Sequence, residues 1–210
     1  MAIPLLRGSG DTRRDLADVL EARRSWRAWP AVPIGLETFS RFFWLGARTR
    51  EVLEDGTPRE AVTRPYPSGG AAYSLEIYPV IAHDAVESIS AGIFRYLPES
   101  HGLEPVSENG ADGLPFLEAA ARSAGTTSPP IVLIITSRFA KQSESYGNLA
   151  YSLVLKEVGC LFQTLYLVAE YLGLASCALG GGTPAGRLAR LCRTSELAEP
   201  VVGEFMLGPR

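Results

Sequence analysis

Residues 64–80 read RPYPSGGAAYSLEIYPV. Pro65 and Pro67 hold the backbone extended and withhold two N–H donors. Ser68-Gly69-Gly70 then makes a turn, and Ser74 to Ile81 alternates as a strand. On its own this is an ordinary turn before a strand, since glycine-rich turns are common. Two adjacent glycines also leave a stretch of backbone without Cβ atoms, where a flat ligand or a phosphate can come close.

Working outward from this turn, the chain alternates between helical and extended signals. Residues 1–11 read as a loose lead-in. Asp11 or Thr12 is placed to cap a helix in which Leu16, Val19 and Leu20 share a face. That helix is expected to run into Arg23-Arg24-Ser25-Trp26-Arg27 and to stop before Pro30. A second helix is predicted from near Leu36 to about Arg48, with Phe39, Phe42, Phe43 and Leu45 as its apolar stripe. Residues 51–72 are polar and rich in turn formers.

Downstream, Gly92–Leu97 and Leu103–Val106 read as strands joined by a turn over 98–102. Residues 107–113 read as a loop and 114–124 as a helix. Ile131–Thr136 is a near-continuous β-branched run, which suits a strand covered on both faces. Ala150–Leu172 is the longest periodic segment, a buried central helix closed by Gly173. Ala175–Leu179 is a strand leading to Gly180-Gly181-Gly182, Thr183 is placed to cap a helix ending near Cys192, and Val201–Leu207 is the last strand. The order of elements gives one α+β domain over 1–210, built around one sheet.

The chain has 210 residues, is 46% hydrophobic and carries a net charge of −3. That supports one well-buried core and does not suit nucleic acid or an anionic membrane. No targeting segment is visible, and the apolar run near Pro129–Ile135 is far too short to span a bilayer. Cys160, Cys177 and Cys192 have no metal or disulfide spacing, so they read as small apolar residues of a reduced, cytoplasmic protein. His83 and His101 lack companion ligands and read as surface histidines, which leaves no metal site.

Arg23, Arg24 and Arg27 crowd three guanidiniums and the Ser25 hydroxyl into five residues. Such forks suit phosphate or carboxylate oxygens, although a solvated helix end is the plainer reading of a charge run. Gly180-Gly181-Gly182 is not a dinucleotide fingerprint, because no acidic residue follows at the required spacing.

Taken in this order, the motifs resemble the nitroreductase superfamily of flavoproteins and, within it, the SagB-type dehydrogenases. These include azoline oxidases of ribosomal-peptide pathways and oxidase domains of nonribosomal peptide synthetases. The resemblance runs from about Leu20 to Arg210. Arg23–Arg27 is similar to the family's Arg-x-Ser-x-Arg, and Arg64–Tyr73 with Leu75-Glu76 is similar to the SagB-type signature. Lys156-Glu157-Val158-Gly159 with Gln163 resembles the helix Glu-Ala-Gly-His-x-x-Gln-Asn, with Cys160 where His is usual.

The resemblance implies a nitroreductase-like fold, a central and mostly antiparallel sheet flanked by helices, with FMN bound at the interface of an obligate homodimer. Arg23, Arg24, Ser25, Arg27 and Arg210 are then expected at the phosphate and ribityl end. Pro67, Ser68, Gly69 and Gly70 are expected against the flavin ring, with Gln163, Leu179, Gly180 and Gly181 also at the cofactor. Azoline oxidases carry a Lys-Tyr pair for proton handling. Here Tyr146 follows Ser145, with Lys141 or Lys156 as the candidate lysines and Tyr151 as a second candidate acid or base. The implied activity is oxidation of a thiazoline or oxazoline in a modified peptide, with a cyclodehydratase as the implied partner. The alternatives are an NAD(P)H-dependent nitro or quinone reductase, and a catalytically silent scaffold subunit.

Overall fold

β-branching and period-two alternation decide where this chain extends, and apolar residues at helical spacing decide where it coils. In the computed structural model, which describes residues 1–7, 14–53 and 61–210, these signals yield nine strands and six α-helices among the described residues. In chain order they are β1 (Ile3–Pro4), α1 (Leu16–Ala22), α2 (Leu36–Ala47), β2 (Glu51–Leu53), β3 (Ala61–Thr63), β4 (Leu75–Ile81), β5 (Gly92–Leu97) and β6 (Gly102–Ser107). The rest are α3 (Gly110–Ala124), β7 (Ile131–Ser137), α4 (Ala140–Tyr146), α5 (Ala150–Leu172), β8 (Leu174–Leu179), α6 (Ala185–Cys192) and β9 (Val201–Pro209).

Seven strands form one sheet in the order β1-β6-β5-β4-β7-β9-β8, with every neighbouring pair antiparallel. β4 and β7 are buried along their whole length and stay in register from Leu75↔Ser137 to Ile81↔Ile131. Alternation along β4 then assigns each face. Leu75, Ile77 and Ile81 meet α2 and α5 through Phe39, Phe42, Val154, Leu161 and Leu165. Tyr78 and Val80 meet α3 and α6 through Phe116, Leu117 and Leu188. The result is a helix–sheet–helix sandwich with an apolar layer on each side.

α5 starts immediately after the turn that follows α4, and Gly173 ends it in the left-handed conformation (φ 71°), returning its N–H to Ala169 and Glu170. Its inner stripe is Ala150, Val154, Val158, Leu161, Leu165 and Ala169. By length and composition alone, residues 140–172 would pass as a membrane span. Packing against α2, β8 and β9 makes α5 the core helix of the sandwich.

Several expectations are revised. Residues 3–5 are tied down, with Ile3 opposite Leu103 and the Leu5 N–H donating to His101. Asp11 and Thr12 lie outside the described residues, and the cap of α1 is Asp15, which accepts from the Ala17 N–H at 2.7 Å. Of Leu16, Val19 and Leu20, only Val19 is buried. α1 ends at Ala22, so Arg23–Arg27 is not helical. β2 and β3 pair as a separate hairpin within the supposed loop. α3 starts at Gly110, where the Asn109 side chain caps it by accepting from the Ala111 N–H at 3.2 Å, and it carries Pro115 inside its second turn. Thr183 gives α6 no side-chain cap.

His101 is buried, not exposed. Its ring contacts the Tyr96 hydroxyl at 2.9 Å and the Leu6 carbonyl at 3.2 Å. Burial, reinforced by Arg7 and Arg48, pushes its pKa down despite the Leu6 bond. His83 is exposed as expected.

Leu161 is fully buried between α5 and the sheet. Leu161→Ala should cost about 2–5 kcal/mol, read as a lower urea midpoint with an unchanged m-value.

Candidate functional site

The five-residue arginine segment runs extended beside β8, where the Trp26 N–H donates to the Ser176 carbonyl at 2.8 Å. The Ser25 hydroxyl lies 2.9 Å from the Tyr166 hydroxyl, which also accepts from the Ala178 N–H at 2.7 Å. The Arg23 guanidinium sits 5.1 Å from the Tyr166 ring centroid, a cation–π contact. Tyr166 of α5 therefore joins the arginine segment to the end of β8 that leads to Leu179, Gly180 and Gly181. Among the described residues no carboxylate pairs with Arg23, Arg24 or Arg27. Arg24 and Arg27 are exposed, and open space lies where a Cβ on Gly180 or Gly181 would be. Uncompensated guanidiniums beside bare backbone suit a ligand with a phosphate tail.

Arg210 stands at the same end of the molecule, 5.3 Å from the Trp26 ring centroid, but its fork is committed to Glu170 at 2.6 and 3.0 Å. Arg14 also reaches the Glu170 carboxylate. Burial alone would raise the Glu170 pKa, yet the two guanidiniums hold it below the usual range.

The turn 67–73 forms a second cluster. Gly70 (φ 60°), Ala71 (φ 51°) and Tyr73 (φ 41°) are left-handed, and only the first of these is a glycine. The Tyr73 N–H donates to the Ser68 hydroxyl at 2.9 Å, which folds the turn back on itself. Pro67, Gly70 and Ala71 are exposed. Tyr146, at the end of α4, packs over Gly70, and a Cβ built on Gly70 would overlap its hydroxyl. The predicted flavin wall and the predicted proton-handling tyrosine are thus brought together.

Beneath the turn lies a buried polar layer that sequence reasoning did not find. Glu157 accepts from the Ser74 hydroxyl at 3.1 Å and from the Gln142 amide at 3.2 Å. Ser137 donates to Ser74 at 3.0 Å. Burial pushes the Glu157 carboxyl above the usual carboxylate range, against the pull of bonds from Gln142, Ser68 and Ser74 and of the Arg64 charge. Glu157 at a core-facing position between Val154 and Leu161 was the available signal. Gln142 gave none, because α4 is short and polar.

The other candidates separate. Lys156 lies one turn beyond Leu153, whose side chain is within 3.6 Å of where a Gly69 Cβ would be, and it is exposed. It does not pair with Glu157, which faces inward, because adjacent helical residues diverge by about 100°. Tyr151 is exposed on the opposite flank of α5, and Gln163 is exposed farther along it. Ser152, Lys156, Gly159 and Gln163 form an outward stripe at helical spacing, bordered by Leu149, Tyr151 and Leu155, which are 64%, 62% and 45% exposed.

The profile of the family described as "Nitroreductase family" matches residues 20–208. The chain is 32% identical over 165 residues to Methanocaldococcus jannaschii MJ1384, a protein assigned to the nitroreductases, covering 79% of this chain and 78% of that one. It is 29% identical over 147 residues to the Escherichia coli microcin B17-processing protein McbC, covering 69% of this chain and 54% of McbC. Among solved structures, the E. coli microcin synthetase McbBCD complex with truncated pro-MccB17 bound superposes with a TM-score of 0.70 at 22% identity, covering 98% of this chain and 77% of that one. A Desulfovibrio desulfuricans protein of the same fold, solved in complex with FMN, gives a TM-score of 0.54 at 13% identity, covering 94% and 87%.

The contact between Gly70 and Tyr146 is directly testable. Gly70→Ala should lower stability by about 1–2 kcal/mol for its left-handed φ alone, and by more while Tyr146 blocks the new methyl. In a Tyr146→Ala background the same change should cost less, so a double-mutant cycle on thermal midpoints should show coupling of about 0.5 kcal/mol or more.

Proposed function

Because the chain belongs to the nitroreductase family, we propose that it is an FMN-dependent oxidoreductase working as a homodimer on a modified peptide. The observation that carries this reading is the division of the candidate site along α5. Ser25 and Arg23 meet Tyr166, whereas Gly69 faces Leu153 and Gly70 faces Tyr146. Thirteen residues separate Leu153 from Tyr166 on α5, about 20 Å along a helix. A flavin ring resting on Gly69-Gly70 leaves its own phosphate far from Arg23 of the same chain. A second copy packed on the outward stripe of α5 resolves this, since each chain then lends its turn to the partner's arginine segment. Gly159 leaves that stripe low enough for another backbone to approach, and Leu149, Tyr151 and Leu155 offer it apolar area.

The residues fit the cofactor. Arg23, Arg24 and Arg27 present donors without internal carboxylate partners, as a phosphate dianion requires. The end of β8 is bare where a planar ring needs a close approach, and at Gly70 the turn lies beneath Tyr146. When bound, FMN supplies the two-electron acceptance. The chain would supply the rest: Arg23, Arg24 and Arg27 would hold the phosphate, Gly180 and Gly181 would offer backbone N–H groups to the ring, and the Tyr146 hydroxyl would hold or move a proton. Likeness to McbC, a microcin B17-processing protein, supports a peptide substrate, and the proposed substrate within that class is an azoline, with a cyclodehydratase-type partner. Likeness to MJ1384 supports the alternative, reduction of nitro groups or quinones with NAD(P)H.

Purified protein should be yellow or should take up FMN. Arg23→Ala should weaken FMN binding about ten- to hundredfold, from the loss of a charge-assisted bond of about 1.5–3 kcal/mol. A thiazoline peptide should lose two hydrogens by mass, whereas flavin bleaching by NADPH with an unchanged peptide would favour the reductase. A colourless protein that takes up no FMN would leave the scaffold reading.

Sharing of the site has its own test. Arg23→Ala and Gly70→Val each damage both sites of a homodimer. Refolded as a one-to-one mixture, they should recover FMN binding at about one site in four, because each mixed dimer regains one intact site. No recovery would mean that both halves of the site come from one chain.

A further inference from the structure

We propose that Glu157 is a positioning residue: from inside the protein it sets the turn 68–73 and α4 against each other, and so fixes where Tyr146 stands. Glu157 is 2% exposed and Gln142 fully buried. The Gln142 amide nitrogen lies 3.2 Å from Glu157, 3.5 Å from the Ser68 hydroxyl and 3.5 Å from the Gly69 carbonyl. One side chain of α4 thus bridges the carboxyl of α5 to the turn, four residues before Tyr146. The same carboxyl takes the Ser74 hydroxyl where the turn passes into β4, and Ser74 is in turn held by Ser137 at the end of β7. Four elements and the turn converge on one group.

Its unpartnered oxygen indicates how the group does this. Among the described residues, Glu157 Oε1 and Gln142 Oε1 are both buried and both lack a partner. Two acceptors without a donor are expensive in an interior. A proton on the carboxyl turns one of them into a donor. The facing groups resist that proton, and burial outweighs them. Arg64, whose fork also reaches the Tyr66 hydroxyl, is the cation acting on the carboxyl, and Tyr66 is itself pushed up to about 12 by burial and stays neutral. Ser68, Ser74 and Gln142 carry no charge. With its pKa raised by burial, Glu157 is neutral on the acid side. Its contribution is complete there and declines as pH rises through the elevated folded value.

The test uses the full chain without flavin, by hydrogen exchange, followed by FMN titration. Glu157→Ala should reduce the protection of the Tyr73 and Ala72 amides by about tenfold or more while leaving α2 protected. Glu157→Gln, which keeps the shape and supplies an N–H, should stay within about threefold of wild type. Turn protection in wild type should fall as pH rises relative to Glu157→Gln, which should be flat. Should Glu157→Ala not fold, Gln142→Ala cuts the same bridge and should loosen the same amides.

Unchanged turn protection in a folded Glu157→Ala or Gln142→Ala chain overturns the proposal, as does a Glu157→Gln chain as loose as Glu157→Ala. The link to the cofactor rests on the turn being the flavin wall, and it predicts weaker FMN binding in Glu157→Ala by about tenfold. If wild type takes up no FMN, that reading fails while the exchange result still decides the role of Glu157.

Discussion

α5 buries a carboxyl group near each of its ends, and the two are accommodated in opposite ways. A buried carboxylate needs either a matched cation or a proton. Glu170 takes the first route, pinned by Arg210 and Arg14, and it stays ionised. Glu157 has hydroxyls and an amide around it, and its burial favours the neutral acid. The choice at each end determines what that end can offer. The Glu170 end organises guanidiniums and aromatic rings. The Glu157 end organises a turn with almost no side chains on its outer surface.

The same helix carries three surfaces with different duties. Its inner stripe closes the sandwich through Val154, Leu161 and Leu165. Its ends hold the two clusters. Its outer stripe of Ser152, Lys156, Gly159 and Gln163 is exposed, as are the neighbouring Leu149, Tyr151 and Leu155. One helix cannot bring its own ends together, and the proposed homodimer would answer this by laying a second α5 across the first. The apolar border of the outer stripe and the bare backbone of the turn then answer to one cause.

The sandwich was legible because its signals are local. Continuous β-branching marked Ile131–Thr136 as doubly covered, and periodicity with a closing glycine marked Ala150–Leu172 to the residue. What failed was set by distant partners. Arg23–Arg27 has ordinary helix propensity and extends because Ser176 accepts a backbone bond from Trp26. His101 looks like a turn histidine until Tyr96 and Leu6 close over it. β2 and β3 are three residues each, too short to carry a period. In the site, glycines and arginines stood out as residue types, but Gln142, Ser74 and Tyr166 are recognisable only by what they touch.

The turn shows why such residues matter together. Ala71 and Tyr73 sit at positive φ without being glycine, a conformation that costs about 1–3 kcal/mol and persists only where the surroundings over-determine it. The restraints all lie on the inner side. Ser68 accepts the Tyr73 N–H, Gln142 reaches Ser68 and Gly69, and Arg64 lies 5.5 Å from the Tyr73 ring centroid. Because the holding is done from beneath, the outer side can stay bare apart from Tyr146. The glycines of RPYPSGG leave backbone without side chains beneath Tyr146, and the buried polar layer keeps that backbone in one shape. A smooth apolar interior would have left the same turn free to relax into an ordinary right-handed one.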